Sequence, residues 1–125
     1  MGVGPGSLPS DAHMIGLPAT ALRDALEEDL DVLMHLLLND EPLSVKTDRY
    51  ELVNAKCQLR PYTDPCFEIA VPGVASPIAP RLAGKYGGGI ISLGSSSKLA
   101  ADALTGHWDL LQSRAEEFEQ TVSRT

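Results

Sequence analysis

A strand, a helix and a second strand follow one another between residues 66 and 94, and this pattern constrains the fold most. The apolar run "CFEIAV" at residues 66–71 predicts a buried strand that ends at Pro72 and Gly73. The run "IISLG" at residues 90–94 predicts the second strand. Such a βαβ unit requires parallel strands and a right-handed crossover. The sequence therefore predicts an α/β protein.

The connecting helix has clear start and stop signals. Ser76 and Pro77 suit a helix start, and the glycine run at residues 87–89 suits its end. Leu82 and Ala83 are expected to lie on its buried face. The loop that precedes this helix, "PGVASP", follows the first strand directly.

Another helix is expected over residues 17–38, with Pro18 in its first turn and Thr20 as a candidate cap. Its apolar side chains recur at steps of three and four, as an amphipathic helix requires. They are Leu22, Leu26, Leu30, Leu33, Met34 and Leu37.

Weaker patterns complete the chain. Short strands are expected at residues 50–52 and 56–59, and helices at residues 97–104 and 107–121. The opening "GVGPGS" indicates a strand stub that breaks into a glycine-rich loop. The last helix is expected to carry one apolar face, made of Trp108, Leu111, Ala115 and Phe118.

Three parallel strands allow two closed architectures, a doubly wound sheet or a (β/α) barrel. In both, ligands bind at the carboxyl ends of the strands, which are followed here by "GPGSLPSDAHM", "PGVASP" and "GSSS". Three strands alone leave two open edges. We therefore expect self-association, and a chain that is a piece of something larger.

Composition argues against several classes of protein. The formal charge of −7 disfavours nucleic acid as a partner, and no apolar run is long enough to span a membrane. The opening residues lack the pattern of a signal peptide, so a cytoplasmic location with reduced Cys57 and Cys66 is expected. The three histidines are scattered, and we expect no metal site.

Four stretches in a shared order carry a family resemblance. They are "GVGPGSLPSDAHMIG" at 2–16, "RDALEEDLDVLMHLL" at 23–37, "DEPLSVKTDRYELVNAKCQLRPYTDP" at 40–65 and "VASPIAPRLAGKYGGGIISLG" at 74–94. In these stretches the chain resembles the bacterial luciferase-like, flavin-dependent monooxygenases, in the limonene and alkanal monooxygenase branch. The resemblance implies a single, incomplete segment of a TIM-type barrel, from about strand four to strand six with their helices.

The resemblance also implies a cofactor site. Ser76 matches the serine that binds the flavin phosphate in the family, at a helix start where N–H groups and the helix dipole favour an anion. A helix cap is the structural alternative for Ser76. Ala75 and Pro77 flank it, and Gly4 and Gly6 would allow the backbone to approach the flavin ring.

The sequence departs from the family next to this serine. Ile78, Ala79 and Pro80 stand where relatives have a small polar residue and glycine, which predicts weaker phosphate binding. Arg81 could supply a counter-charge. The other interpretation of Arg81 is a solvent-facing side chain.

The loop after the first strand supplies the substrate-side candidates Asp11, His13 and Met14. A tight turn capped by Asp11 is the alternative interpretation of this loop. No residue matches the catalytic histidine of the family, and neither His35 nor His107 is expected to replace it. The catalytic residues are therefore left unassigned.

The resemblance implies a monooxygenase that uses reduced FMN from a separate flavin reductase, oxygen and an apolar small molecule. A deazaflavin-dependent oxidoreductase is the alternative within the family. Outside it, the chain could be an inactive truncated fragment, or a subunit completed by a partner chain. We expect the isolated chain to be inactive.

Overall fold

The structure is a computed structural model that describes residues 1–92 and 98–122. The chain forms two compact units, one of Met1–Ser7 with Glu68–Thr125 and one of Leu8–Phe67. In chain order the elements are α1 (Pro9–Met14), α2 (Leu22–Leu38), β1 (Leu43–Lys46), β2 (Glu51–Ala55), β3 (Ala70–Gly73), α3 (Ile78–Tyr86), β4 (Gly89–Ser92) and α4 (Lys98–Glu117).

The first unit contains the predicted βαβ pattern. Strands β3 and β4 are parallel, with Val71 opposite Ile90. The predicted stub is reduced to a parallel bridge between Gly2 and Ala70, so β3 lies between the stub and β4. The α/β prediction is confirmed, whereas the described residues form only small sheets and no closed barrel.

Strand β3 is offset from its predicted position. It begins at Ala70, where pairing with Gly89 of β4 starts, and it continues through Pro72 and Gly73, which were expected to end it. The apolar run at residues 66–71 was expected to be buried, and Ile69 and Val71 in it are both buried.

Helix α3 follows its predicted course. Its last turn closes on Gly87, which takes the left-handed conformation with φ 65°, and the N–H of Gly88 donates to the carbonyl oxygen of Ala83 at 2.8 Å. Leu82 and Ala83 are buried as expected.

The C-terminal segment forms one helix where the sequence predicted two. Helix α4 continues through residues 105 and 106, which lie between the two predicted helices, and ends at Glu117 rather than near residue 121. Leu111 and Ala115 are buried, and this packing offsets the low helix propensity of one glycine. Phe118, predicted on the same face, is exposed.

Helices α3 and α4 approach closely at Gly84. A Cβ atom there would lie 2.5 Å from the carbonyl oxygen of Leu111 and 2.7 Å from Cβ of Arg114. A Cβ on Gly87 would likewise approach Gln120, so the two helices run in the same direction. The first unit therefore has a layer of two parallel helices beside its parallel strands.

In the second unit, α2 is the predicted amphipathic helix, with Leu30 and Met34 among its buried residues. Its start differs from the prediction, because a 3-10 turn, Ala19–Ala21, precedes it and Thr20 lies inside that turn rather than capping the helix. Asn39 ends the helix, and its side-chain amide donates to the carbonyl oxygen of His35 at 3.0 Å.

Strands β1 and β2 form an antiparallel hairpin with Val45 opposite Leu52. The strand expected at residues 50–52 overlaps β2, whereas residues 56–59 are not a strand and β1 was not foreseen. The turn at residues 47–50 lacks the glycine that usually signals a hairpin. Its shape comes from Thr47, whose hydroxyl oxygen accepts hydrogen bonds from the backbone N–H groups of Arg49 and Tyr50.

The close contact at Gly84 gives a test of this packing. Gly84→Ala should lower the free energy of unfolding by about 1–3 kcal/mol, because the added methyl group meets backbone atoms that have little room to move. Gly106→Ala is the matched control, since its Cβ would meet nothing within 4 Å. It should raise the free energy of unfolding by about 0.5–1 kcal/mol.

Urea titration followed by circular dichroism measures both variants. Equal effects of the two substitutions would contradict the close α3–α4 approach.

Candidate functional site

The parallel strands bring two candidate loops to one edge of the small sheet. The stub at Gly2, β3 and β4 all run in one direction, so the segments that follow them lie at their carboxyl ends. Residues 3–7 follow the stub, and residues 74–77 follow β3. The third loop, "GSSS" at residues 94–97, lies outside the described residues.

Ser76 lies immediately before α3 and is half-buried. Its hydroxyl oxygen accepts a hydrogen bond from the N–H of Ile78 at 3.4 Å, a long contact at the limit of a hydrogen bond. The hydroxyl hydrogen remains a donor for a further acceptor. Ser76 thus combines a weak capping contact with the ability to donate to an anion.

The first turn of α3 offers few backbone donors. Pro77 and Pro80 have no N–H, and the N–H of Arg81 already donates to the carbonyl oxygen of Pro77 at 3.2 Å. Ala79 is fully buried. Among residues 77–80 this leaves the N–H of Ile78, which already makes the long contact with the hydroxyl oxygen of Ser76.

Charge at the same position favours an anion. The first turn of α3 contains no acidic residue, so its positive dipole end is not neutralised by the helix itself. Arg81 is exposed one turn further on. Ala75 and Pro77 are exposed on either side of Ser76.

Gly4 and Gly6 lie in the neighbouring loop, and both are exposed. A Cβ on Gly4 would lie 2.8 Å from Cγ of Pro72, so the contact with β3 already accounts for a glycine here. Gly6 has φ 80°, a conformation that other residues rarely adopt. Both glycines therefore have structural reasons that are independent of a ligand.

The substrate-side candidates Asp11, His13 and Met14 belong to the second unit. They lie on the short helix α1, where the sequence had indicated a loop or tight turn, and all three are exposed. Asp11 accepts a hydrogen bond from the hydroxyl of Ser10 at 3.3 Å. Their contact with a substrate stays a prediction.

Two curated enzymes match nearly the whole chain. Limonene 1,2-monooxygenase of Rhodococcus erythropolis is 39% identical over 98% of this chain, and 4-hydroxyprotoasukamycin monooxygenase of Streptomyces nodosus subsp. asukaensis is 38% identical over 99%. The chain spans only 31% and 34% of their lengths. No protein-family model matches the chain.

A solved structure of a flavin-dependent monooxygenase is also similar to nearly the whole chain. The oxygenating constituent of 3,6-diketocamphane monooxygenase of Pseudomonas putida, a type II Baeyer-Villiger monooxygenase solved in complex with FMN, superimposes with a TM-score of 0.73 at 26% identity. The match covers 98% of this chain and 36% of that enzyme. The chain is therefore related to the luciferase-like, flavin-dependent monooxygenases.

Two more distant structures share the fold of this chain. The monooxygenase RslO1 of Streptomyces bottropensis gives a TM-score of 0.80 at 15% identity, covering 98% of this chain and 36% of its own. An F420-dependent secondary alcohol dehydrogenase, solved with an F420-acetone adduct, gives 0.71 at 20% identity, covering 97% and 36%.

The remaining histidines, His35 and His107, lie on helices. His107 is buried on α4, and His35 is half-buried on α2. Within residues 1–92 and 98–122, Nδ1 of His107 and Nε2 of His35 are buried without a hydrogen-bond partner. Both histidines are helical residues with partly or fully buried side chains, and we assign a catalytic role to neither.

The residues that the structure describes show neither a metal-binding cluster nor a membrane-spanning helix. Cys57 and Cys66 are free thiols, and no group of three or more His, Cys, Asp or Glu side chains is arranged to hold a metal ion there. No helix in these residues is both long and apolar enough to cross a membrane.

Two arginine clusters in the second unit were missed at the sequence level. Arg49 pairs with Glu28 and Asp29 of α2, and Arg60 pairs with Asp40. Partners more than 19 positions apart leave no local sequence signal, so only the fold reveals them.

These clusters shift the pKa values of their members. The hydrogen bond from Arg60 holds the pKa of Asp40 below its usual value. Burial, followed by the hydrogen bond to Asp29, raises the pKa of Tyr50. Arg60 also donates to the carbonyl oxygen of Leu38 at 3.2 Å. An open cavity of about 310 Å³ is lined by Arg60 together with Leu38, Pro61, Thr63, Asp64 and Pro65.

The pKa of Asp40 gives a pH-dependent test. Arg60→Gln should raise this pKa toward its ordinary value, because the main hydrogen-bond donor is lost. A carboxyl group whose pKa is lower in the folded state stabilises the fold at pH values above its ordinary pKa. This stabilisation is lost as the pH falls through the folded-state pKa. It should be small, because both side chains are exposed.

A carboxyl-carbon NMR titration measures the pKa directly. Lys56→Gln is the control, since Lys56 is the smallest of the charges that lower this pKa. If the two substitutions shift the pKa equally, the assigned pairing of Asp40 with Arg60 is wrong.

Proposed function

We propose that this chain supplies one segment of a flavin-dependent monooxygenase. This proposal rests on the 39% and 38% sequence identity to two monooxygenases over nearly the whole chain. Because the chain spans about a third of those enzymes, the proposed activity is that of a larger assembly in which this segment takes part. In this proposal the parallel strands belong to a TIM-type barrel, at about strands four to six.

The proposed cofactor is FMN, reduced by a separate flavin reductase and held by its phosphate at the start of α3. Ser76 would donate its hydroxyl to a phosphate oxygen, and the N–H of Ile78 would leave its long 3.4 Å contact with the Ser76 oxygen to donate beside it. The absence of acidic residues in the first turn and the proximity of Arg81 support this assignment. The related diketocamphane enzyme was solved with FMN.

Two prolines limit how strongly this site can bind phosphate. Pro77 and Pro80 remove two N–H groups that a helix start would otherwise offer. The hydroxyl of Ser76 therefore contributes a large share of the available donors. This makes the site unusually dependent on one side chain.

In the proposed reaction, bound reduced FMN supplies the electrons with which oxygen is activated to oxygenate an apolar substrate. The residues of this chain would hold and orient the phosphate and shape part of the substrate side. Met14 and Ile15 are exposed apolar side chains at the end of α1, next to Asp11 and His13. They support an apolar substrate.

A deazaflavin-dependent oxidoreductase is the second candidate. The supporting observation is the similar fold of the F420-dependent alcohol dehydrogenase. Comparing the binding of FMN and F420 to the same preparation discriminates between these two functions.

A non-catalytic chain, or a subunit that requires a partner polypeptide, is the third candidate. Ile91 on β4 is exposed, and β4 pairs only with β3 among the described strands. Such an edge supports association with another copy or another chain. Turnover by the purified chain with reduced FMN and oxygen would contradict this candidate.

The phosphate assignment predicts the effect of Ser76→Ala on FMN binding. The affinity of the 125-residue chain for FMN should fall about tenfold, the usual contribution of one hydrogen bond to a charged group. Ser76→Thr keeps a hydroxyl and should retain most of the affinity. Ser113→Ala changes an exposed serine on α4 and should have no effect.

Quenching of FMN fluorescence gives the dissociation constants. Equal affinities for the wild type and Ser76→Ala would contradict the role of Ser76. Absence of FMN binding by the wild-type chain would count against this segment as an independent phosphate site.

A further inference from the structure

The β1–β2 hairpin lies outside the hydrophobic core. No residue between positions 38 and 68 is buried, and all of these residues are described. Along the strands, Leu43, Val45 and Leu52 are only half-buried, while Val53 is 71% exposed. Apolar burial therefore contributes little to holding the hairpin in place, and such segments have low local stability.

The turn of the hairpin is rigid despite this exposure. The N–H of Thr47 donates to the carbonyl oxygen of Tyr50 at 2.9 Å. The hydroxyl oxygen of Thr47 accepts from the N–H groups of Arg49 and Tyr50 at 3.1 and 3.0 Å. Arg49 and Tyr50 are thus presented by a fixed turn.

Both side chains bind the same turn of α2. Nη2 of Arg49 lies 2.8 Å from a carboxylate oxygen of Glu28 and also binds the carboxylate of Asp29. It reaches the carbonyl oxygen of Ala25 at 3.5 Å, and the hydroxyl of Tyr50 donates to Asp29 at 2.9 Å. We call this set of contacts the Arg49 latch.

The Arg49 latch differs from an ordinary surface ion pair. The Arg49 side chain is 23% exposed, and one guanidinium group serves two adjacent carboxylates that would otherwise repel each other. Several coupled charges with a shared partner contribute more than isolated exposed pairs. The latch is therefore expected to hold the hairpin to α2 more strongly than an isolated exposed ion pair would.

We propose that the hairpin opens from α2 as a unit, and that the Arg49 latch sets how often it opens. Lys46 and Glu51 pair within the hairpin at 3.0 Å and cannot hold it to α2. Arg60 holds the loop that follows the hairpin to the end of α2, through its contacts with Asp40 and Leu38. When the contacts of Arg49 break, the hairpin is therefore the segment that separates from α2. Salt should favour opening because it screens the latch charges.

Hydrogen exchange of the full 125-residue chain tests this proposal. A two-stranded hairpin is marginally stable on its own, so its ladder amides should exchange each time the latch opens. Arg49→Gln should accelerate exchange in residues 43–55 about fivefold to thirtyfold, without a similar change in β3 and α3. Raising NaCl from about 25 to 500 mM should accelerate the wild type and leave Arg49→Gln nearly unchanged.

Two further variants complete the design. Lys46→Gln removes an equal charge from the hairpin but no contact with α2, and should change exchange less than about twofold. Tyr50→Phe removes only the hydroxyl and should accelerate exchange about threefold, which keeps the test valid if Arg49→Gln does not fold. Unchanged hairpin exchange in Arg49→Gln or Tyr50→Phe, or equal acceleration throughout the chain, would overturn the proposal.

Discussion

Close packing of α3 on both sides is the constraint on which the first unit depends. A Cβ on Gly73 would lie 2.7 Å from Cβ of Ala79, and one on Gly84 would meet the backbone of α4. Glycine at these positions lets the strand approach one side of α3 and α4 approach the other. The start of α3 is thereby fixed at the carboxyl end of β3, where Ser76 can face a ligand.

The same position explains why the site is both suitable for an anion and limited in strength. A helix start at the carboxyl edge of parallel strands is a general position for phosphate groups. Here Pro77 and Pro80 begin the helix efficiently but remove donors from it. In the proposed phosphate site, the hydroxyl of Ser76 would therefore contribute more, relative to the backbone N–H groups, than at a helix start without prolines.

The sequence predicted the elements that have strong local signals. Ser76, Pro77 and Gly87 bounded α3 correctly, because start and stop residues act within a single turn. The prediction of two helices in place of α4 was wrong, since the packing of Leu111 and Ala115 against α3 is a tertiary effect. The hairpin was largely missed because Thr47 shapes its turn without a glycine, and its anchor on α2 joins residues about 20 positions apart.

Prediction of the site was more limited for a similar reason. The family resemblance suggested Ser76, whose role stays a prediction, and the parallel strands explain why the loops after Gly2 and β3 share one edge. The reasons for Gly4 could not be read from the sequence, because its neighbour Pro72 is 68 positions away. The roles of Asp11, His13 and Met14 stay predictions.

The central claim is that the start of α3 binds the phosphate of a flavin. An amide NMR titration of the 125-residue chain with FMN, and separately with riboflavin, tests this most directly. We expect FMN to shift the amide signals of Ala75, Ser76 and Ile78, and we expect riboflavin, which lacks the phosphate, to leave them unchanged. Equal shifts with both ligands, or FMN-induced shifts confined to other residues, would contradict it.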